Sequence, residues 1–191
     1  MKAKEAANKE KKIRQIREST GNLDQVNIDL TFYVFYNLAN MYHANNLYKE
    51  ALNSYTIIVK NKQYPQASRL RVNMGNIYFE QKKYPLAIKM YNMAFDGTLQ
   101  ENKEMKLKIK KNIALASIKL GAFGKAIEAY EDIIHDTPDF DVCFNLIVCL
   151  YALGDKTKMK SYFEKMLMID LPGAEEEETE EILQMQTTEE E

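Results

Sequence analysis

Apolar and small residues recur along this chain at spacings of three and four. That period places them on one face of a helix, whereas a strand would alternate every second residue. Four helical stretches open on an Asn-headed triplet: Asn37-Leu38-Ala39, Asn73-Met74-Gly75, Asn112-Ile113-Ala114 and Asn145-Leu146-Ile147. Their third residues are 36, 39 and 33 positions apart. Each stretch is followed by a second helical pattern with a small residue, then an aromatic four positions on. The small position holds Ala51, Ala87, Ala126 and, as a misfit, Met159, and the aromatics are Tyr55, Tyr91, Tyr130 and Phe163. Three positions beyond these come Ile58, Ala94, Ile133 and Met166.

A repeat of about 34 residues with small and aromatic positions at fixed offsets is the signature of the tetratricopeptide (TPR) helix pair. The fold class expected is therefore all-α, a TPR α-solenoid of about four repeats, wound as a right-handed superhelix of antiparallel helix pairs. Small residues let the paired helices approach closely, and the aromatic rings fill the space between successive pairs. The second unit fits best, and the fourth, with Ile147 and Met159 at its small positions, fits worst. Asn45-Asn46, Lys82-Lys83, Gly121 and Gly154 are expected to end the first helices, and Asp29 to cap the first of them. Pro65, Pro138 and Pro172 fall near unit boundaries, and Pro85 in the first turn of a second helix. The stretch 97–102 forms a longer connection that accounts for the 39-residue interval.

These signals divide the chain into a helix and linker over 1–22, an array over 23–170 and an acidic tail over 173–191. The repeats occupy approximately 32–65, 68–101, 107–139 and 140–172. The opening helix reads as the end of a preceding repeat whose partner helix is missing, so the chain is expected to be a fragment or shortened form of a longer array. The tail is too rich in Glu to repay ordering and is expected to be disordered.

Composition narrows the function classes. Net charge is −2, which gives no global field for nucleic acid. Charge is uneven: residues 1–20 carry seven Lys/Arg against three Glu, and residues 170–191 carry ten acids and no base. No apolar run reaches the ~20 residues that span a bilayer, and none follows Met1 as a signal peptide requires, so a cytosolic chain without membrane insertion is expected. Cys143 and Cys149 fall in one predicted helix about 240° apart, which prevents their pairing and points to buried reduced thiols.

No catalytic, cofactor or metal site is legible. The two histidines, His43 and His135, fall in different units at helix ends. There is no Cys-x-x-Cys, no Gly-rich phosphate loop and no nucleophile elbow, so no enzyme and no small-molecule substrate is expected. What remains is surface. The concave groove of such an array is lined by first helices: here Tyr33, Tyr36, Asn40 and His43; then Arg69, Val72, Asn76 and Phe79; then Lys108, Lys111, Leu115 and Ile118; then Asp141, Phe144, Val148 and Tyr151. Exposed aromatic and aliphatic residues in that stripe suit a segment of another protein. Arg69, Arg71, Lys106, Lys108, Lys110 and Lys111 read as a basic ridge, either a solvated face or a dock for an acidic segment. Asn40 and Asn76 match the asparagines of a carboxylate-gripping TPR groove, but Tyr36 stands where its first Lys is expected. Two readings stay open: a scaffold subunit, and an adaptor or co-chaperone domain that grips one linear peptide.

Beyond the repeat pattern, the wording of several segments is specific. NIDLTF at 27–32, IVKNKQYP at 58–65, RLRVNMGNIY at 69–78 and GDKTKMK at 154–160 are not needed by TPR packing. With KAKEAANKEKKIRQIRE at 2–18, they make residues 2–170 resemble the intraflagellar transport protein 88 (Polaris) family. The resemblance implies a non-enzymatic subunit of intraflagellar transport complex B, with other complex B subunits as partners. It implies a role in cilium assembly and ciliary cargo transport, and a location at the cilium, the ciliary base and the cytoplasm. It carries over no individual functional residue.

Overall fold

The computed structural model describes residues 2–21, 27–60 and 67–169. The expected acidic tail, Pro65 and Pro172 lie outside the described residues. All secondary structure among the described residues is helical: α1 (Lys2–Ser19), α2 (Ile28–Ala44), α3 (Tyr48–Val59), α4 (Ala67–Glu80), α5 (Tyr84–Asp96), α6 (Lys103–Lys119), α7 (Phe123–Asp136), α8 (Phe140–Leu153) and α9 (Lys156–Met166). The chain forms two compact units, 1–116 and 117–191.

The four expected helix ends share one geometry. Asn46, Lys82, Gly121 and Gly154 all take positive φ, at 58°, 59°, 80° and 75°. At each, the residue's own N–H and the following N–H turn back onto the helix. Asn46 and Leu47 donate to His43 O and Tyr42 O at 2.9 Å each, and Lys82 and Lys83 to Phe79 O at 2.8 Å and Tyr78 O at 2.9 Å. Gly121 and Ala122 donate to Ile118 O and Ser117 O at 2.9 Å each, and Gly154 and Asp155 to Tyr151 O and Leu150 O at 3.0 Å each. Closure by a 5→2 and a 6→1 bond is the Schellman motif, which satisfies carbonyls that a helix end leaves unpaired. The repeat is thus written into the turns as well as the core.

Helix starts follow capping chemistry. Asn27, not the expected Asp29, caps α2: its Oδ1 accepts the Leu30 N–H at 2.9 Å. Asp29 sits inside the first turn, where a carboxylate still favours the positive helix end. Asn102, Asp139 and Asp155 cap α6, α8 and α9 in the same way, accepting from Met105, Val142 and Lys158. Pro85 lies in the first turn of α5, where its missing N–H is not required.

In the first unit, α1 docks on α2 through Ala7 and Glu10, both buried. The Glu10 carboxylate accepts from the Thr31 hydroxyl, so the buried charge is hydrogen-bonded. A core of Phe35, Leu38, Ala39, Ala51, Tyr55, Ile58, Leu70 and Ile77 joins α2, α3 and α4. A second core, Ala87, Tyr91, Ala94, Ile109 and Ala116, carries the packing into α6. Gly75 is a steric requirement: a Cβ there would meet Cε1 of Tyr91 at 2.4 Å. Close approach of α4 and α5 depends on that missing methyl.

The second unit packs α7, α8 and α9 around Ala126, Tyr130, Ile133, Val142, Leu146, Leu150 and both cysteines. Cys143 and Cys149 are free and buried on one helix. Burial pushes both thiols above their usual range. Phe163 departs from the expected core role. Tyr55, Tyr91 and Tyr130 are buried, but Phe163 is 48% exposed. Among the described residues no helix follows α9 to cover that ring. Ile147 and Met159, the oversized residues at the small positions, are likewise only half-buried.

Candidate protein-binding groove

Two repeated hydrogen bonds join neighbouring helices at the expected groove positions Asn40 and Asn76 in the first unit. Tyr55, rising from α3, donates its hydroxyl to Asn40 Oδ1 of α2 at 2.5 Å. Tyr91, rising from α5, donates to Asn76 Oδ1 of α4 at 2.8 Å. The same fifteen-residue offset recurs one repeat later because both aromatics occupy the same register position. Tyr55 also accepts from Asn73 Nδ2 at 3.3 Å, which ties the first helix pair to α4. Burial pushes the Tyr91 hydroxyl up to about 12, with the nearby Glu80 charge adding to the shift, so it stays a neutral donor at ordinary pH. Asn40 and Asn76 thus each have a carboxamide oxygen engaged by the protein itself.

Aromatic rings are prominent among the expected groove residues. Tyr33 is 60% exposed on α2. Tyr36 stacks on Phe32 with ring centroids 5.6 Å apart and meets Tyr55 edge-on at 6.4 Å. Phe79 meets Tyr84 edge-on at 5.4 Å. Val72 and Phe79 are half-buried against the second core, and Arg69 is exposed. On α6, Lys108 pairs with Glu104 at 2.6 Å, and Lys111 and Leu115 lie along the same stretch. A cavity of about 210 Å³ opens between α4 and α6, lined by Asn76, Phe79, Glu80, Tyr91, Asn112 and Leu115.

One contact could not be read from sequence. Both oxygens of Glu80, at the end of α4, lie 3.0 and 2.9 Å from His43 Nε2, at the end of α2. A carboxylate only accepts, so the imidazole donates. His43 is therefore more than a helix-terminal residue: it links two repeats. Thirty-seven residues separate the pair, and no local pattern connects them.

The basic ridge divides. Lys106 sits 4.8 Å over the Phe95 ring and bonds Gln100 at 2.7 Å, and Lys110 lies 6.0 Å over the same ring. Among the described residues, Arg71 Nε is buried without a hydrogen-bond partner, close to the Gly97 turn.

Within the second unit, α8 presents Phe144, Val148 and Tyr151 at 53%, 42% and 76% exposure, with Asp141 one turn earlier. A cleft of about 790 Å³ lies between α7, α8 and α9, and includes His135, Cys143 and Lys165. Glu131 crosses it to Lys158 at 3.0 Å and Tyr162 at 3.2 Å. Among the described residues, no group of three His, Cys, Asp or Glu could hold a metal ion, and no helix is long and apolar enough to cross a membrane.

Comparison with known proteins places this geometry. The family model described as soluble NSF attachment protein, SNAP, matches residues 2–186. Human intraflagellar transport protein 88 homolog is 43% identical over 170 residues, which are 89% of this chain and 21% of that protein. The chain therefore spans about a fifth of the length of that relative. Among solved structures, MamA superposes with a TM-score of 0.60 at 19% identity, covering 80% of this chain and 91% of MamA. A Podospora anserina putative kinesin light chain with nearly identical TPR-like repeats gives 0.58 at 14%, covering 84% and 93%. At such identities the structural matches speak for the fold alone: an all-α, TPR-type solenoid. The expected resemblance to the intraflagellar transport subunit is found in the sequence comparison.

Proposed function

The chain belongs to the soluble NSF attachment protein, SNAP, family, and from that premise we propose that it is a non-enzymatic scaffold that holds a segment of a partner protein in the first-unit groove. The groove residues are Tyr33, Tyr36, Asn40, Arg69, Val72, Asn76, Phe79, Lys108 and Lys111, with Phe144 and Tyr151 offering a further aromatic face in the second unit. The observation that carries this reading is the aromatic stripe together with the Tyr55–Asn40 and Tyr91–Asn76 bonds. A surface that sets aromatic and aliphatic side chains among placed polar and cationic groups is what an extended or helical segment of another protein fits.

The biological setting follows the relative. Identity of 43% to a protein named for intraflagellar transport supports a place in that machinery. We assign the chain to cilium assembly and ciliary cargo transport, with other complex B subunits as its partners and the cilium and its base as its location. Affinity purification of the tagged chain from ciliated cells tests this. The reading expects complex B subunits in stoichiometric amounts, retained at high salt because apolar packing dominates. Recovery of chaperones alone, released by salt, contradicts it.

A further inference from the structure

The cavity between α4 and α6 has a chemistry of its own within the groove. Its lining offers one ionised group, the carboxylate of Glu80. That carboxylate is the last residue of α4, whose C-terminal carbonyls add negative potential. Beside it stand the rings of Phe79 and Tyr91, the aliphatic Leu115, and the carboxamides of Asn76 and Asn112. Tyr91 gives its hydroxyl proton to Asn76, so it contributes an aromatic ring and no charge to the cavity lining. His43 approaches Glu80 from α2 and the Tyr48 hydroxyl of α3 also hydrogen-bonds it, but these two donors leave other carboxylate lone pairs unfilled, and the Glu80 side chain is 45% exposed.

A carboxylate beside two aromatic rings, at a helix C-terminus, selects a cation and repels an anion. The volume of about 210 Å³ suits one long side chain and excludes a whole helix. A planar guanidinium stacks on aromatic faces, forks onto a carboxylate and donates to carboxamide oxygens, and an ammonium does the first two poorly. We propose that this cavity seats one arginine side chain of the bound protein segment, with Glu80 as its counter-charge and Phe79 and Tyr91 as its walls. The proposal rests on the groove reading above, and names the chemistry of its occupant.

The test uses the 191-residue chain, isotope-labelled, with N-acetyl-arginine-amide as probe and N-acetyl-citrulline-amide as its uncharged match. At ~10 mM, enough to fill a site with a millimolar dissociation constant, the arginine probe is expected to shift the side-chain amides of Asn76 and Asn112 and the backbone amide of Glu80. Citrulline is expected not to. Glu80→Gln should weaken the arginine response on the order of tenfold, while Glu104→Gln leaves it intact. Equal shifts with citrulline, no shift at those amides, or an unchanged response in Glu80→Gln each overturn the anchor. Partner capture run in parallel separates this from the groove itself. Capture lost in both Tyr33→Ala/Phe79→Ala and Glu80→Gln supports both. Capture lost only in the aromatic variant overturns the anchor and keeps the groove, and capture lost in neither overturns both.

Discussion

Gly75 of α4 lies against the ring of Tyr91 on α5, so close that any Cβ would stand 2.4 Å from Cε1. The ring is held at its hydroxyl by the bond to Asn76, next to Gly75 in sequence. It can retreat only by giving up that bond. Gly75→Ala is therefore expected to lose about 1–3 kcal/mol through overpacking. The gain an alanine ordinarily brings to a helix interior, ~1 kcal/mol, should not appear. A denaturant midpoint at or above wild type would show that the helices do not approach as described.

Alkaline pH offers a second check. The hydroxyls of Tyr91 and Tyr130 are pushed from 10.0 up to about 12, mainly by burial. The folded chain therefore keeps these protons at a pH where the unfolded chain has begun to release them. Stability from these groups is complete below pH 10 and declines as pH rises from there toward 12. The Tyr91→Phe/Tyr130→Phe double variant should show a shallower decline over that window. Parallel curves for variant and wild type would mean that the hydroxyls ionise equally in both states.

The dock of α1 on α2 includes a buried polar pair, Glu10 and Thr31, beside Ala7. Thr31→Val leaves the buried Glu10 carboxylate without its donor, at a cost of about 1–3 kcal/mol. Adding Glu10→Met removes both partners and should restore much of the loss. Hydrogen exchange reads this directly, with protection in α1 falling in the single variant and recovering in the double. Unchanged protection in α1 would show that the helix is held by something other than this pair.

The repeat was legible wherever chemistry is local. Gly121 and Gly154 announce left-handed turns, and Asn46 accepts one readily; Lys82 takes the same conformation because two carbonyl bonds over-determine it. Ala39, Ala51 and Ala87 marked the buried helix contacts by size and spacing alone. The cap of α2 was misplaced by two residues because Asn27 and Asp29 are both good capping types and only the backbone decides between them. The bonds at Asn40 and Asn76 were illegible for a different reason. Whether Asn40 points at a ligand or at Tyr55 is a three-dimensional matter, and the His43–Glu80 link joins residues a whole repeat apart.

The central claim is that a partner segment lies in the first-unit groove. A photo-crosslinking residue placed at Phe79, inside the groove, and separately at Lys89, exposed on α5, tests it most directly in extract from ciliated cells. The account predicts a crosslink from position 79 to one complex B subunit and none from position 89. Crosslinking from 89 alone, or equally from both, would contradict it.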